Sequence, residues 1–243
     1  MDAGRPVNTE VARGVHSLGQ RQGGRVHAFL LESGDDLILI DTLFDTDGHR
    51  IIDAIRSLSR PVTDLKRIVL THAHRSHLGG AAALQEASGA AVHAHEWETD
   101  IVEGNRKAQA VSIVPRRPLR AYFPLQVGLA LGLGKHPPCR VDHFLAEGDQ
   151  IGPLHVLDAA GHTPGHLAFY WPERRTLFTG DAVATWPEYG AGWPAFNLNF
   201  KQHLASLGRL AELDSEVLAV GHGEPIRTGG ASRLGRLVDQ LSR

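Results

Sequence analysis

Short apolar runs alternate with longer amphipathic stretches along this chain, a pattern typical of strands that are followed by helices. In the first half, strand-like runs lie at 26–32, 37–41, 67–71 and 90–94. Apolar residues that recur every three or four positions predict helices at about 48–58, at about 79–88 and from Glu96 onward. The first half is therefore expected to form a sheet covered by helices.

The second half repeats this alternation. It predicts strands at 153–160, 166–171, 175–180 and 216–220, and helices at about 199–213 and 230–241. Strands followed by helices in each half fit two similar sheet-plus-helix units that pack together. No linker or low-complexity tract divides the chain, so we predict a single α/β domain over residues 1–243.

One segment, at about 103–140, breaks the regular pattern. Prolines and glycines interrupt its apolar residues, at Pro115, Pro118, Pro124, Gly128, Gly132, Gly134, Pro137 and Pro138. We predict a partly helical lid or wall beside the functional site, which would make the substrate partly apolar. The alternative is a packing element or a homodimer contact, because exposed apolar patches often mark interfaces.

Size and composition indicate the broad class of protein. A chain of 243 residues with 42% hydrophobic and 21% charged residues is typical of a globular protein with a substantial core. The formal net charge of −2 gives no field that would attract nucleic acid or an anionic membrane. The first twenty residues show no secretory signal, and the lone Cys139 forms no intramolecular disulfide. We therefore expect a cytoplasmic protein that acts on a small molecule.

Fifteen histidines are a high number for this length, and three of them fall in one short segment. Residues 71–77 read Thr-His-Ala-His-Arg-Ser-His, directly after a strand-like run and before a Gly-Gly pair. A strand that leads into a tight loop can present alternate imidazoles to one point, and neutral imidazole is a preferred zinc ligand. The segment therefore predicts a metal site.

Three further segments place a possible ligand directly after a glycine. They supply His162, Asp181 and His222. Glycine lets the backbone approach a shared point without steric cost. Each segment is common turn chemistry by itself, but their order after the histidine loop indicates one metal centre. His93 and His95 share a strand face without an identifiable third ligand, so we interpret both as structural.

The combination resembles the His-x-His-x-Asp-His pattern of the metallo-β-lactamase superfamily over nearly the entire chain, with Ser76 where that family has aspartate. The resemblance implies a four-layer αβ/βα sandwich with a metal site at one edge of two sheets. It implies that His72, His74 and His162 hold a first metal. It also implies that His77 and His222 help to hold a second, with Asp181 bridging both.

The resemblance implies hydrolysis of a small ester, lactone or thioester by a metal-bound hydroxide, with Asp181 as the catalytic residue and one or two zinc ions as cofactor. Because a hydroxyl carries no charge to balance a dication, we expect Ser76 to weaken the second site without abolishing it. Trp186, Tyr189 and Trp193, in the loop after Asp181, are expected to line one side of the pocket. His166 is expected to support the ligands from behind.

Two other functions fit the same pattern. One is a mononuclear iron oxygenase like the persulfide dioxygenases of the superfamily, in which iron replaces zinc. The other is a non-catalytic binding protein on the same fold, which the survival of all ligands but one disfavours. A β-lactamase, a nuclease, a quorum-quenching lactonase and glyoxalase II fit less well. Lactonases usually have tyrosine where this chain has Ala184, and the glutathione-binding segments of glyoxalase II are not recognisable.

Overall fold

A computed structural model describes residues 8–107, 127, 131–132, 134–194 and 196–243. In the first half, the strands are β1 (Thr9–Ala12), β2 (Val15–Gln20), β3 (Val26–Ser33), β4 (Asp36–Ile40), β5 (Leu65–Val69), β6 (Ala91–His95) and β7 (His143–Leu145). The helices are α1 (Gln22–Arg25), α2 (His49–Ser57), α3 (Arg75–Leu78), α4 (Ala81–Ser88) and α5 (Glu96–Val102). Most of the expected lid, at about 103–140, falls outside the described residues.

Within the described part of the second half there are five strands and two long helices. The strands are β8 (Gln150–Ile151), β9 (Leu154–Asp158), β10 (Leu167–Trp171), β11 (Thr176–Ala184) and β12 (Val217–His222). The helices are α6 (Phe200–Ala211) and α7 (Gly230–Leu241). No helix in the described ranges has both the length and the apolar character needed to cross a membrane.

The strands form one curled sheet with two halves. Its order is β7-β6-β5-β4-β3-β12-β11-β10-β9-β8, and β2 pairs with both β1 and β3. The halves meet where β3 and β12 pair at only one position, Val26 with His222. This joint brings the start of β3 against the end of β12, which places the loops of the two halves at one edge.

The layers of the fold arise because each central strand buries the side chains of both its faces. On β4, Leu37 and Leu39 face the first helices, whereas Ile38 and Ile40 face the opposite half of the sheet. Side chains of a strand alternate between faces, so a continuous apolar run fills two cores at once. A third core packs α6 and α7 on the second half. Helices, half-sheet, half-sheet and helices thus form the predicted four-layer αβ/βα sandwich.

The structure corrects some predicted elements. Strands β1, β2, β7 and β8 were not predicted, and β11 continues to Ala184, so Asp181 lies inside a strand and not after it. The pairing of β11 with β12 is irregular on both sides of Gly180, which has a positive φ of 48°. This irregularity lets the strand continue past Gly180 while its direction changes at the ligand.

Candidate metal centre

The histidine loop lies at the carboxyl edge of the first half-sheet. β4 and β5 run parallel, so the residues that follow them meet at one edge. His72 and His74 lie in the loop after β5, and His77 lies on the short helix α3. The backbone N–H and the hydroxyl of Thr42 both donate to the carbonyl of His77, at 2.6 and 3.0 Å. The loop is therefore held against the end of β4.

Three imidazoles and one carboxylate converge in the first ligand cluster, which consists of His72, His74, His162 and Asp181. Nδ1 of His74 lies 2.9 Å from Nε2 of His72 and 3.0 Å from Nε2 of His162. Oδ2 of Asp181 lies 3.4 Å from Nε2 of His162 and 3.7 Å from that of His72. Zinc ligands in a tetrahedral site lie about 3.3 Å apart, so these separations suit one ion.

The second ligand cluster consists of His77, His222 and Asp181. The Nε2 atoms of the two histidines are 3.3 Å apart. Oδ1 of Asp181 lies 3.2 Å from His77, and Oδ2 lies 3.3 Å from His222. The same carboxylate therefore belongs to both clusters, and the structure brings together all six residues predicted as ligands.

In two of the ligand histidines, the ring nitrogen that points away from the cluster donates a hydrogen bond. The inward nitrogen, which points into the cluster, therefore carries a lone pair. Nδ1 of His162 donates to Oδ1 of Asn197 at 3.0 Å, and Nδ1 of His222 donates to the carbonyl of Gly24 at 2.9 Å. In a neutral imidazole the other nitrogen is then an acceptor. The inward nitrogens of His162 and His222 face the buried carboxylate of Asp181, at 3.4 and 3.3 Å. Lone pairs that face a carboxylate fit a cation, and this donor set fits a metal.

Burial keeps the histidines of the first ligand cluster neutral. It lowers the pKa of His74 to about 4 and that of His162 to about 3. Burial also lowers the pKa of His77, but the carboxylates of Asp181 and Asp41 raise it more strongly, to about 10. The pKa of Asp181 stays well below its ordinary range, because His222 and His77 outweigh the effect of burial. At neutral pH the first ligand cluster therefore offers free lone pairs and a charged carboxylate.

Asp41 supports both clusters, and the sequence reasoning missed it. This buried residue follows β4 with a positive φ of 59° and accepts from Nδ1 of His77 at 2.8 Å. It also accepts from the backbone N–H and the hydroxyl of Thr71, both at 2.8 Å. Nδ1 of His72 lies 3.0 Å from that hydroxyl oxygen. One carboxylate thus orients a histidine of each cluster, a typical role of groups behind metal ligands.

Glu98, also missed, joins two of the ligand loops. Its carboxylate is 1% exposed and accepts from the backbone N–H of Ala73 at 3.0 Å. It also accepts from the hydroxyl of Thr163, next to His162. Burial raises the pKa of Glu98, and these hydrogen bonds counteract part of that effect. Glu98 therefore fixes the distance between the loop that carries His72 and the loop that carries His162.

This arrangement gives a first prediction. Glu98→Gln keeps the side-chain shape but replaces one acceptor oxygen with a donor, so one of the two loops loses its hydrogen bond. We expect zinc affinity at the first ligand cluster to fall by about tenfold, measured by competition with a chelator at a temperature where the protein stays folded. Glu96→Gln, at an exposed position on the same helix, is the control. Equal affinities in both variants would show that Glu98 does not position the ligands.

The remaining histidines discussed above lie outside both clusters. Nε2 of His166 accepts from the backbone N–H of Asp181 at 3.0 Å, which places it behind that ligand. His93 stacks on His143 with ring centroids 4.7 Å apart. Nδ1 of His95 accepts from the N–H of Trp97 at the start of α5. Within the described residues, neither His93 nor His95 belongs to a group of three possible metal ligands.

The loop after Asp181 brings a predicted pocket residue, Trp193, against a ligand of the second cluster. Trp193 stacks on His222 with ring centroids 4.4 Å apart, and Trp186 lies next to Trp193. Tyr189 is partly exposed; burial raises its pKa, and the charges of Arg233 and Arg236 on α7 counteract part of that effect. Phe196, which the sequence reasoning did not select, contacts Trp193.

Ser76 lies half-buried on α3 against the Gly23–Gly24 turn of α1. A Cβ placed on Gly23 would come within 3.2 Å of Cβ of Ser76, and one on Gly24 within 3.3 Å of Nδ1 of His222. The same turn therefore borders both Ser76 and a ligand of the second cluster.

Fold and site define an α/β protein with paired metal-ligand clusters at a sheet edge. The chain belongs to the metallo-beta-lactamase superfamily, whose family model matches residues 21–222.

Known proteins of similar sequence and structure agree with this assignment. The uncharacterised protein YobT of Bacillus subtilis is 29% identical, with 84% of this chain and 85% of that protein covered. The probable metallo-hydrolase YflN of the same species is 28% identical, with 96% and 93% covered. A hydroxyacylglutathione hydrolase of Rhodobacter capsulatus is 28% identical, with 84% and 68% covered. The structure of TTHA1623 in a di-iron-bound form superposes with a TM-score of 0.64 at 28% identity, with 89% and 96% covered.

Proposed function

We propose that this protein is a metal-dependent hydrolase of a small ester, lactone or thioester, with zinc as its cofactor. The observation that carries the proposal is the Asp181 carboxylate shared by two ligand clusters, since an open site with several imidazoles and a carboxylate is typical of catalytic zinc. A bound ion would lower the pKa of a water molecule and polarise the carbonyl oxygen of the substrate.

Each residue has a distinct role in this proposal. His72, His74 and His162 would hold the first ion, and His77 and His222 would hold the second more weakly. Asp181 would supply negative charge at both clusters and could accept a hydrogen bond from a water molecule there. Asp41 and Asn197 accept hydrogen bonds from Nδ1 of His77 and of His162. These bonds orient each ring so that Nε2 would face the ion.

Related proteins support hydrolysis over other reactions. YflN is named a probable metallo-hydrolase, and the Rhodobacter capsulatus relative is named for the hydrolysis of an acylglutathione. Both names favour hydrolysis, and the second favours transfer of an acyl group to water. We therefore place esters and thioesters first among the substrates to be assayed.

An iron oxygenase is the second candidate, because the similar structure TTHA1623 was solved with two iron ions. A mononuclear oxygenase needs only one cluster, however, and here a second set of converging ligands shares Asp181. Elemental analysis of protein purified without added metal separates the candidates. Bound iron together with oxygen consumption would favour the oxygenase, and zinc together with ester hydrolysis would favour the hydrolase.

Metal removal gives a second prediction. A ligand at a thousandfold excess over its Kd stabilises a folded protein by about 4 kcal/mol. For a domain of this size, we expect removal of the metal with a chelator to lower Tm by about 10 °C and to abolish ester hydrolysis. Differential scanning calorimetry before and after zinc is restored measures the change. An unchanged Tm would contradict metal binding at these buried ligands.

A further inference from the structure

Three aromatic side chains form a surface beside both ligand clusters. We call Trp186, Trp193 and Phe196 the aromatic wall. Trp193 stacks on His222 of the second ligand cluster, with ring centroids 4.4 Å apart. The ring of Phe196 lies 6.1 Å from that of His74 and 6.5 Å from that of His162, both in the first ligand cluster. One apolar surface therefore borders ligands of both clusters.

The wall is continuous and retains accessible ring surface. Trp193 lies 5.5 Å from Trp186 and 5.4 Å from Phe196, between ring centroids. All three side chains are only half-buried. Half-exposed aromatic rings beside a cluster of polar groups are typical of small-molecule pockets, in which the polar groups fix the orientation of the ligand. The wall can therefore contact the part of a substrate that extends away from the metal centre.

Backbone contacts hold the wall in place relative to the ligands. Nε1 of Trp193 donates to the carbonyl of Trp186 at 2.7 Å, and the N–H of Phe196 donates to the carbonyl of Trp193 at 2.8 Å. A Cβ on Gly192 would lie 2.4 Å from the carbonyl oxygen of Asp181, and one on Gly24 would lie 2.4 Å from the Trp193 ring. The absence of side chains at these glycines allows the close approach, and the wall is preorganised.

We propose that the aromatic wall binds a planar aryl group in the acyl part of the substrate, so that the preferred substrates are esters and thioesters of arylalkanoic acids. This inference rests on the proposed function for the position of the substrate carbonyl at the metal centre. The aromatic wall alone supports the choice of an aryl group. Its neighbouring rings are inclined to one another by 57° and 63°, and such fixed faces and edges suit another ring better than a flexible alkyl chain. In the reaction, water adds its hydroxyl to the acyl carbon as the C–O or C–S bond breaks, and its remaining proton goes to the leaving group.

The test measures binding of product acids and does not depend on turnover. Acetate, hexanoate and phenylacetate are titrated by calorimetry into zinc-loaded and metal-free protein. We expect phenylacetate to bind at least about tenfold more tightly than acetate and at least about threefold more tightly than hexanoate, because aryl groups gain stacking beyond burial of area. Hexanoate binding equal to or tighter than phenylacetate would overturn the proposal.

A matched pair of variants tests whether the aromatic wall causes the preference for phenylacetate over hexanoate. Phe196→Leu keeps apolar volume but removes a ring of the wall, and we expect it to eliminate the preference for phenylacetate over hexanoate. Phe144→Leu, at an exposed position on the edge strand β7, should preserve it. An unchanged preference in Phe196→Leu would place the aryl group elsewhere and overturn the proposal.

Ester hydrolysis separates this inference from the proposed function. The 4-nitrophenyl esters of the same three acids are assayed with the zinc-loaded protein. If none is hydrolysed although phenylacetate binds as expected, the hydrolase proposal fails and the aromatic wall stands. If all are hydrolysed without preference for the aryl ester, the wall proposal fails and the hydrolase proposal stands.

Discussion

Replacing Asp181 with asparagine should remove metal from both clusters and reduce ester hydrolysis by on the order of a hundredfold or more. This loss exceeds the one that is typical when a residue hydrogen-bonded to a metal ligand is replaced. Asp181 is the common member of the two clusters, and its carboxylate brings a negative charge to each. Asparagine keeps the size but offers no negative charge to a dication. Elemental analysis and the rate of hydrolysis of an activated ester measure the two effects.

Asp214→Asn is the matched control for this variant. Asp214 forms an exposed ion pair with Arg175 at 2.6 Å, and exposed pairs contribute little to stability. We expect that variant to retain the metal content and the activity of the unmodified protein. Full metal content in Asp181→Asn would show that the shared carboxylate does not hold the ions.

Replacing Ser76 with aspartate should raise affinity at the second ligand cluster by on the order of ten- to a hundredfold, since ligand charge tunes metal affinity. Among the residues that the structure describes, the second ligand cluster consists of His77, His222 and the shared Asp181. We therefore expect the unmodified protein to hold closer to one tightly bound ion than to two, and the variant to hold two. Ser76→Asn, which has the same shape without the charge, should behave like the unmodified protein.

The surroundings of Ser76 favour this outcome. Its neighbour Arg75 could otherwise pair with a new carboxylate and hold it away from the metal. The Arg75 guanidinium instead lies 4.4 Å from the ring centroid of Phe44 and donates to the carbonyl of Lys135. Calorimetric zinc titrations measure the stoichiometry of all three proteins. Two tightly bound ions in the unmodified protein would show that the second ligand cluster needs no further charge.

The sequence was sufficient to predict most of the helices and central strands and the convergence of the six ligands. The central strands are apolar on both faces, and three of the six ligands follow glycines in a recognisable order after the histidine loop. The groups behind the ligands were harder to predict, because tertiary contacts select them. Asp41 is the one such group with a signal in the sequence. It directly follows β4, which runs parallel to the strand that leads to His72, so Asp41 and His72 lie at the same edge of the sheet. Glu98 and Asn197 give no such signal.

Strand β2 escaped prediction because its polar residues His16 and Ser17 are buried in pairs with other polar groups. His16 and Ser17 would normally indicate exposed positions. In the structure, Nε2 of His16 lies 2.7 Å from the Glu32 carboxylate, and the Ser17 hydroxyl lies 2.7 Å from Nδ1 of His27. Cross-strand hydrogen bonds with β3 thus satisfy groups that the pattern alone assigns to solvent.

The central claim is that metal at the first ligand cluster makes this protein a hydrolase, and a zinc titration of metal-free protein tests it most directly. The rate of hydrolysis of an activated ester is followed as zinc is added. We expect the metal-free protein to be inactive and the rate to rise until about one equivalent is bound, with at most a smaller gain from further zinc. Full activity without metal, or tight zinc binding without hydrolysis of any ester or thioester, would contradict the claim.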